Sequence, residues 1–269
     1  MTLEPYELFA LRYGHHGGRK QVDNVLGGDS HNQGSDLDYF VWVARGSNRI
    51  FLIDTGFSAE QAERRGRELV RPVPEALKAL SINPGAIEDV ILTHMHYDHA
   101  GNLDDYSSAR FHVQDSEISF CTGRCMCQPH LQSAFEIEDV VSLVRRVYSG
   151  HVEFHDGDSE IASGLSVHRI GGHTAGLQAV RVWTRRGWVV LASDASHLYA
   201  NFRHRQPFPI VVNVAEMLEG YRTILSLADS PDHVIPGHDP LVMSLYPPVS
   251  DELAGIAVRL DVAPRTTAC

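Results

Sequence analysis

Cysteine is scarce in this chain: four occur in 269 residues, at positions 121, 125, 127 and 269, three bunched together and one at the far end. That spacing makes a poor disulfide framework and agrees with a reducing compartment. Long apolar runs are also missing, and none approaches the ~20 residues that cross a bilayer, so no membrane partner is expected. The opening segment MTLEPYELFALRYGHHGG has no basic start, continuous apolar stretch or small-residue cleavage site, which leads us to expect a cytoplasmic protein. Positive charge is in deficit: 23 Lys and Arg against 34 Asp and Glu give a net charge of -11. A surface that binds nucleic acid needs clustered Lys and Arg, so that class is set aside in favour of a small-molecule substrate. No low-complexity segment or Pro-rich linker divides the chain. With 43% hydrophobic residues it can bury a sizeable core, and residues 1–269 read as a single domain. What the chain has in plenty is histidine, 16 residues in all.

Periodicity gives an alternating order of strands and helices. Tyr6 to Tyr13 reads as a first strand, followed by a long loop from Gly14 to Gly34. DYFVWVA (Asp38 to Ala44) and RIFLID (Arg49 to Asp54) flank a short polar turn and predict a hairpin. Helices are expected over Ala59 to Leu69 and Pro74 to Leu80. Leu131, Ala134, Phe135, Ile137, Val140, Val141, Val144, Val147 and Tyr148 recur at helical spacing and predict an amphipathic helix. Leu165 to Ile170, Gln178 to Trp183 and Trp188 to Ser193 read as strands, Met217 to Ala228 as a helix and His233 to Ile235 as a last short strand. Two sheets covered by helices, an α/β protein with an αββα sandwich, follow from this order.

The chemistry gathers at strand ends. Val90-Ile91-Leu92 delivers the chain into THMHYDHAGN, and Trp188 to Ser193 delivers it into Asp194. Histidines two apart on extended backbone point the same way, so His94 and His96 could approach one cation while the turn at Asp98 and His99 serves a second. Neutral imidazole suits zinc, and a carboxylate such as Asp194 can bridge two cations; His173 and His238, also at strand ends, complete the sets. Packing has no use for four polar residues in six positions directly after a buried strand. Lone histidines such as His31, His112, His130, His151, His155, His168, His204 and His233 are read as ordinary surface or core residues. Cys121, Cys125 and Cys127 lack the paired spacing of a structural zinc site and are expected to be free, buried thiols.

THMHYDHAGN resembles the signature of the metallo-β-lactamase superfamily. The likeness extends to FLIDTG at 51 to 56, GGHTAG at 171 to 176, the strand end LASDAS at Asp194 and PGHD at 236 to 239. The resemblance implies an αββα fold with two Zn2+ at the sheet edge: His94, His96 and His173 on one, Asp98, His99 and His238 on the other, Asp194 bridging. It also implies that Asp54 of the DTG orients ligands from behind. Within that superfamily the pattern is most similar to the N-acyl homoserine lactonases, which share LIDTG, GGHTAG, the DAS followed by ANF and PF, and the terminal GHD. Those lactonases place a substrate-contacting tyrosine three residues after the bridging Asp; here that position is His197, and Tyr199 lies two further on.

The expected activity is therefore that of a binuclear zinc hydrolase that opens a lactone to a hydroxy acid through a metal-activated water, with Asp98 carrying the proton. Either His197 or Tyr199 would assist the developing oxyanion. Further substrate contacts are sought among Tyr97, Phe202, Phe208, His15 and His16. A glyoxalase-II-like thioester hydrolase would use the same ligands, but that resemblance also calls for a basic C-terminal extension. A mononuclear iron persulfide dioxygenase would not need the second ligand set. Assembly is left open, with a homodimer as the alternative to a monomer.

Overall fold

The computed structural model describes residues 3–265, so Cys269 lies outside the described residues. Its centre is a pair of β-sheets. The first contains β1 (Glu7–His16), β2 (Leu37–Arg45), β3 (Ile50–Ile53), β4 (Glu68–Leu69), β5 (Asp89–Ile91), β6 (Arg110–Gln114), β7 (Val152–His155) and β13 (Ala257–Arg259). The second contains β8 (Ser159–Ala162), β9 (Leu165–Arg169), β10 (Gln178–Thr184), β11 (Gly187–Ser193) and β12 (Val234–Pro236). The first runs β13-β1-β2-β3-β5-β6-β7, with β4 on the end of β1; the second runs β12-β11-β10-β9-β8. Hairpin neighbours pair antiparallel, whereas β3, β5, β6 and β7 run parallel to one another, as β11 does to β12.

Strand β2 shows why the two sheets stack. Its run Tyr39-Phe40-Val41-Trp42-Val43-Ala44 is buried on both faces. Phe40, Trp42 and Ala44 join Val180, Val182, Val189 and Leu191 of the second sheet in one core. Tyr39, Val41 and Val43 turn the other way and pack with Ala76, Leu77 and Leu143 from the helices outside. A strand covered by a sheet on one side and helices on the other has no polar face to alternate with, hence the unbroken apolar run. This is the αββα sandwich expected. No helix among the described residues is long and apolar enough to cross a membrane.

Several boundaries differ from the sequence reading. The first strand runs on to His16 because Gly14, His15 and His16 pair with Tyr39, Asp38 and Leu37 and recruit β4. The stretch expected as one loop to Gly34 also holds a short helix, Gln21–Asn24. The apolar periodicity from Leu131 to Tyr148 spans two helices, Pro129–Gln132 and Ile137–Tyr148, and Ala134 and Phe135 sit in the break. The helix expected to Leu69 ends at Arg65, and Glu68 and Leu69 form β4 instead. Strands β6, β7, β8 and β13 were not anticipated either; they are short, and β7 is mostly exposed on the sheet edge, so periodicity has little to register there.

The two sheets meet at one edge, where the ends of parallel strands lie side by side. Gln178 N donates to Thr93 O at 2.9 Å and Asp38 N to His238 O at 3.0 Å, bonds that tie β10 to the end of β5 and β2 to the end of β12. Loops leaving carboxyl ends of such strands are where an α/β sheet presents ligands.

Candidate metal centre

Seven side chains converge at this edge, all buried. His94 and His96 come from the segment after β5, Asp98 and His99 from the short helix Tyr97–Ala100 that follows, His173 from the loop between β9 and β10, Asp194 from the end of β11 and His238 from the end of β12. His173 Nε2 lies 2.9 Å from His96 Nδ1, 3.2 Å from His94 Nε2 and 3.2 Å from Asp194 Oδ2. The other oxygen of the same carboxylate, Asp194 Oδ1, lies 2.9 Å from His238 Nε2 and 3.3 Å from His99 Nε2. Asp98 Oδ2 closes this second group at 3.7 Å from His238 Nε2 and 3.6 Å from His99 Nε2. The structure thus brings together all seven residues that the sequence singled out: His94, His96, His173 and Asp194 form one set, Asp98, His99 and His238 another that Asp194 Oδ1 also reaches, and Asp194 groups further with His197 and His238.

Nitrogen and oxygen ligands about 2.0–2.1 Å from a tetrahedral cation stand roughly 3.3 Å apart, and the distances within the sets, from 2.9 Å to the 3.9 Å between His94 Nε2 and Asp194 Oδ2, bracket that value. Two atoms support the same reading: His99 Nε2 and Asp194 Oδ1 are buried yet make no hydrogen bond among the described residues, a costly state for polar atoms unless something else satisfies them. The residues present therefore fit a pair of divalent cations.

Three of the imidazole ligands are also gripped from behind. His99 Nδ1 is 2.7 Å from Asp54 Oδ2, and Asp54 itself accepts from Thr93 N at 2.7 Å and Thr93 Oγ1 at 2.8 Å. His173 Nδ1 faces Ile210 O at 2.7 Å and His238 Nδ1 faces Asp38 O at 3.0 Å. A carbonyl or carboxylate at Nδ1 holds the proton there and leaves the Nε2 lone pair for the centre. Asp54 and Ser193 adopt left-handed backbone (φ 64° and 46°), an uncommon conformation for residues other than glycine, and each borders a ligand loop. Gly237 lets the β12 loop close in, because a Cβ there would stand 2.8 Å from Asp194 Oδ1.

Electrostatics set the two groups of donors apart. Burial, reinforced by neighbouring imidazoles, holds His94 and His96 well below the usual histidine range, so both are neutral lone-pair donors. Burial also works to lower His99 and His238, but the carboxylates of Asp194 and Asp98 outweigh it and raise both. Burial would raise Asp194; His238, His99 and His197 overcome it and keep the carboxylate ionised.

A family model for the metallo-beta-lactamase superfamily matches residues 35–238, three quarters of the chain, and includes every donor described above. The chain belongs to that superfamily. Among its relatives is the N-acyl homoserine lactonase AiiB of Rhizobium rhizogenes, 26% identical over 184 residues; the match covers 62% of this chain and 66% of the relative's length. A solved N-acyl homoserine lactone hydrolase with N-hexanoyl-L-homoserine at its catalytic metal centre superposes with a TM-score of 0.71 at 19% identity, covering 91% of this chain and 96% of the other. AidC, a dizinc quorum-quenching lactonase, superposes with a TM-score of 0.68 at 15% identity, covering 89% and 90%. At these identities the solved structures establish the shared fold.

The superfamily site opens onto a cavity of about 330 Å³. His197 lines it and stacks on Phe208 at 3.6 Å, but its Nε2 is turned to Asp194 Oδ2 at 2.9 Å. Tyr199 does not reach the cavity. It starts the helix Tyr199–His204, and its buried ring packs beside Phe202 in the intersheet core, because the two residues after His197 carry it inward. Phe202 is likewise core, and Phe208 is fully buried behind His197. Tyr97 does line the cavity; His15 is bound to Asp38 at 2.8 Å, and His16 lies between two arginines. Cys121 is buried as expected, its thiol pushed up to about 12 by burial, whereas Cys125 is half-buried and Cys127 exposed because both sit on a surface turn.

Two groups of functional residues escaped the sequence reading. Glu117, fully buried on the helix Asp115–Cys121, accepts from Met95 N at 2.9 Å, Thr174 Oγ1 at 2.6 Å and Gly176 N at 3.0 Å, bracing the His94 loop against the His173 loop. Gly176 is required there, since a Cβ would collide with Glu117 backbone. The second group, Arg19, Arg65 and Arg67, lines the cavity. Nothing in local spacing marks any of these four residues; only the fold brings them to the site.

Proposed function

We propose that this chain is a binuclear zinc hydrolase that opens the ring of a lactone to a hydroxy acid. The observation that carries the reading is the single carboxylate of Asp194 shared between two donor sets at the floor of a cavity sized for a small ester. The lactonase names among its relatives support the choice of substrate class. Two cations held by these residues supply Lewis acidity and an activated water at neutral pH.

The protein's own groups then have defined tasks. Asp98 lines the cavity, and its carboxylate accepts no hydrogen bond among the described residues, so it is free to take a proton from the attacking water. Passing that proton to the ring oxygen as the acyl C–O bond breaks leaves one carboxylic acid and one alcohol on a single product. His197, bonded to Asp194 Oδ2, is a positioning residue that fixes the bridging carboxylate. We assign Tyr199 no part in the reaction.

Metal analysis of the purified protein, coupled to hydrolysis of acyl homoserine lactones, aromatic lactones and thioesters, tests the reading. Two zinc equivalents and preferred turnover of a lactone are expected. Preferred turnover of a thioester would make it a glyoxalase-II-like enzyme, and one iron with oxygen uptake a dioxygenase. A fully loaded protein inert towards the whole panel would end the proposal.

A further inference from the structure

The cavity has two unlike linings. Phe120, Leu131, Ala134, Ile210, Val211 and Val212 present carbon, while Arg19, Arg65 and Arg67 present guanidinium groups. Arg65 is already paired: Glu136, which also holds Arg64, stands 2.7 Å away, and the guanidinium lies over the Tyr97 ring. Arg19 and Arg67 have no carboxylate partner among the described residues. Arg19 donates to Asn24 Oδ1 at 2.7 Å and to Asp23 O at 2.7 Å, and the Asp23 carboxylate is committed to Lys20 N at 2.7 Å. Arg67 donates to Tyr97 Oη at 3.1 Å and to Arg65 O at 2.8 Å. Asp98, a carboxylate that acts on Arg67 without an ion-pair contact, belongs to the metal centre, and Asp23 acts on Arg19 in the same way.

Between the two guanidiniums sits His16, with Arg19 Nη1 3.1 Å from its Nδ1 and Arg67 Nη1 3.2 Å from its Nε2. A neutral imidazole has one lone pair and one N–H, so only one of these contacts is a hydrogen bond; the other sets donor against donor. The ring cannot relieve this by binding a proton, because that would place a third positive charge beside two. Half-buried positive charge with no carboxylate in ion-pair contact among the described residues, arranged in a cavity that begins at the donor cluster, leaves room for an anion. The arrangement is also close to the chemistry: the Tyr97 hydroxyl that accepts from Arg67 is 3.3 Å from the Tyr39 hydroxyl, and the Tyr39 ring packs on His238 at 5.1 Å. On a chain of net charge -11 such a cluster is a local device rather than part of a basic surface.

We propose that the substrate carries an oxyanionic group, a carboxylate or a phosphate-like group, away from its scissile bond, and that Arg19 and Arg67 bind it while the apolar lining holds the carbon chain between. The inference rests on the hydrolase reading for its scissile bond, but its test does not need turnover. Titration calorimetry on the metal-loaded protein compares adipate with hexanoate, which have equal length and share one carboxylate, and extends to the four- and eight-carbon pairs. At the length that spans the cavity the diacid should bind about tenfold tighter than the monoacid, as expected for one charge-assisted contact. 5-Phosphonopentanoate beside adipate shows which oxyanion gains more. Arg67→Met and Arg19→Met should each erase most of the gain, while Arg65→Met, whose charge is already paired, should keep it; thermal melting confirms that each variant is folded. Equal binding of diacid and monoacid at every length, with no gain for the phosphonate, would overturn the proposal, as would a gain that survives in both Arg19→Met and Arg67→Met. An inert hydrolysis panel with an intact diacid preference would instead fault the lactonase reading alone.

Discussion

The floor of the cavity and its arginine-bearing side are built on opposite terms. On the floor three imidazole ligands have a second partner behind them, Asp54 for His99, Ile210 O for His173 and Asp38 O for His238, and the side chains are almost wholly excluded from solvent. Around His16 the groups are half-exposed, two positive charges share one imidazole, and neither arginine has a carboxylate in ion-pair contact among the described residues. A site that must hold cations in fixed geometry needs ligands over-determined by their surroundings. A site that must release a product gains from groups whose partner arrives with the ligand and departs with it.

Substitutions on the floor should have the larger effects. Asp194→Ala removes the one group common to both donor sets and should lower kcat by roughly a thousandfold or more, with metal lost in parallel by elemental analysis. A fully loaded, active variant would show that the floor does not depend on its bridge. Asp54→Asn keeps the shape but cannot hold His99 Nδ1–H as a carboxylate does; metal affinity should fall about 10- to 100-fold by competition with a chelator. Unchanged affinity would mean that the support behind the ligands is dispensable. Glu117→Ala leaves Met95 N and Gly176 N buried without an acceptor and should cost about 2–4 kcal/mol in denaturant unfolding.

The smallest effect is expected behind the arginines, where Asp139 accepts from Gln61 Nε2 at 2.9 Å. Burial, aided by Glu136, raises this carboxyl to about 7. An acid that holds its proton more tightly when folded makes stability fall as pH rises from about 4 to about 7, and the loss persists above. Asp139→Asn should therefore stabilise the protein by about 1–3 kcal/mol at pH 8 and by almost nothing at pH 4, read from urea midpoints at the two values. A pH-independent difference would show that folding leaves the Asp139 carboxyl unshifted, making this side less strained electrostatically than its burial implies.

The metal-donor set was legible in the chain because it follows a local rule. A buried apolar strand such as Val90-Ile91-Leu92 ends, and polar residues with no packing role follow at once; the same holds at Asp194 and His238. The αββα order was legible for a related reason, since runs buried on both faces, such as β2, need a layer on each side. Glu117 was hidden because a glutamate on an amphipathic helix ordinarily faces water, and only the approach of two distant loops turns it into a brace. Tyr199 was misplaced because spacing from Asp194 counts residues along a loop, while the helix that begins at Tyr199 decides where the side chain goes. The Leu131 to Tyr148 periodicity concealed a break because Ala134 and Phe135 are apolar on the cavity side rather than on a helix face.

Taken alone, the sequence determined which atoms are available to cations and at which strand ends they emerge, because alternation, apolar runs and ligand spacing are properties of neighbouring residues. Tertiary structure decided what surrounds those atoms: which carbonyl fixes each imidazole, that His197 serves Asp194 while Tyr199 joins the core, and that Arg19, His16 and Arg67 meet beside the metal-donor set. These depend on contacts between residues tens to hundreds of positions apart, set by how the two sheets stack and where their edges meet.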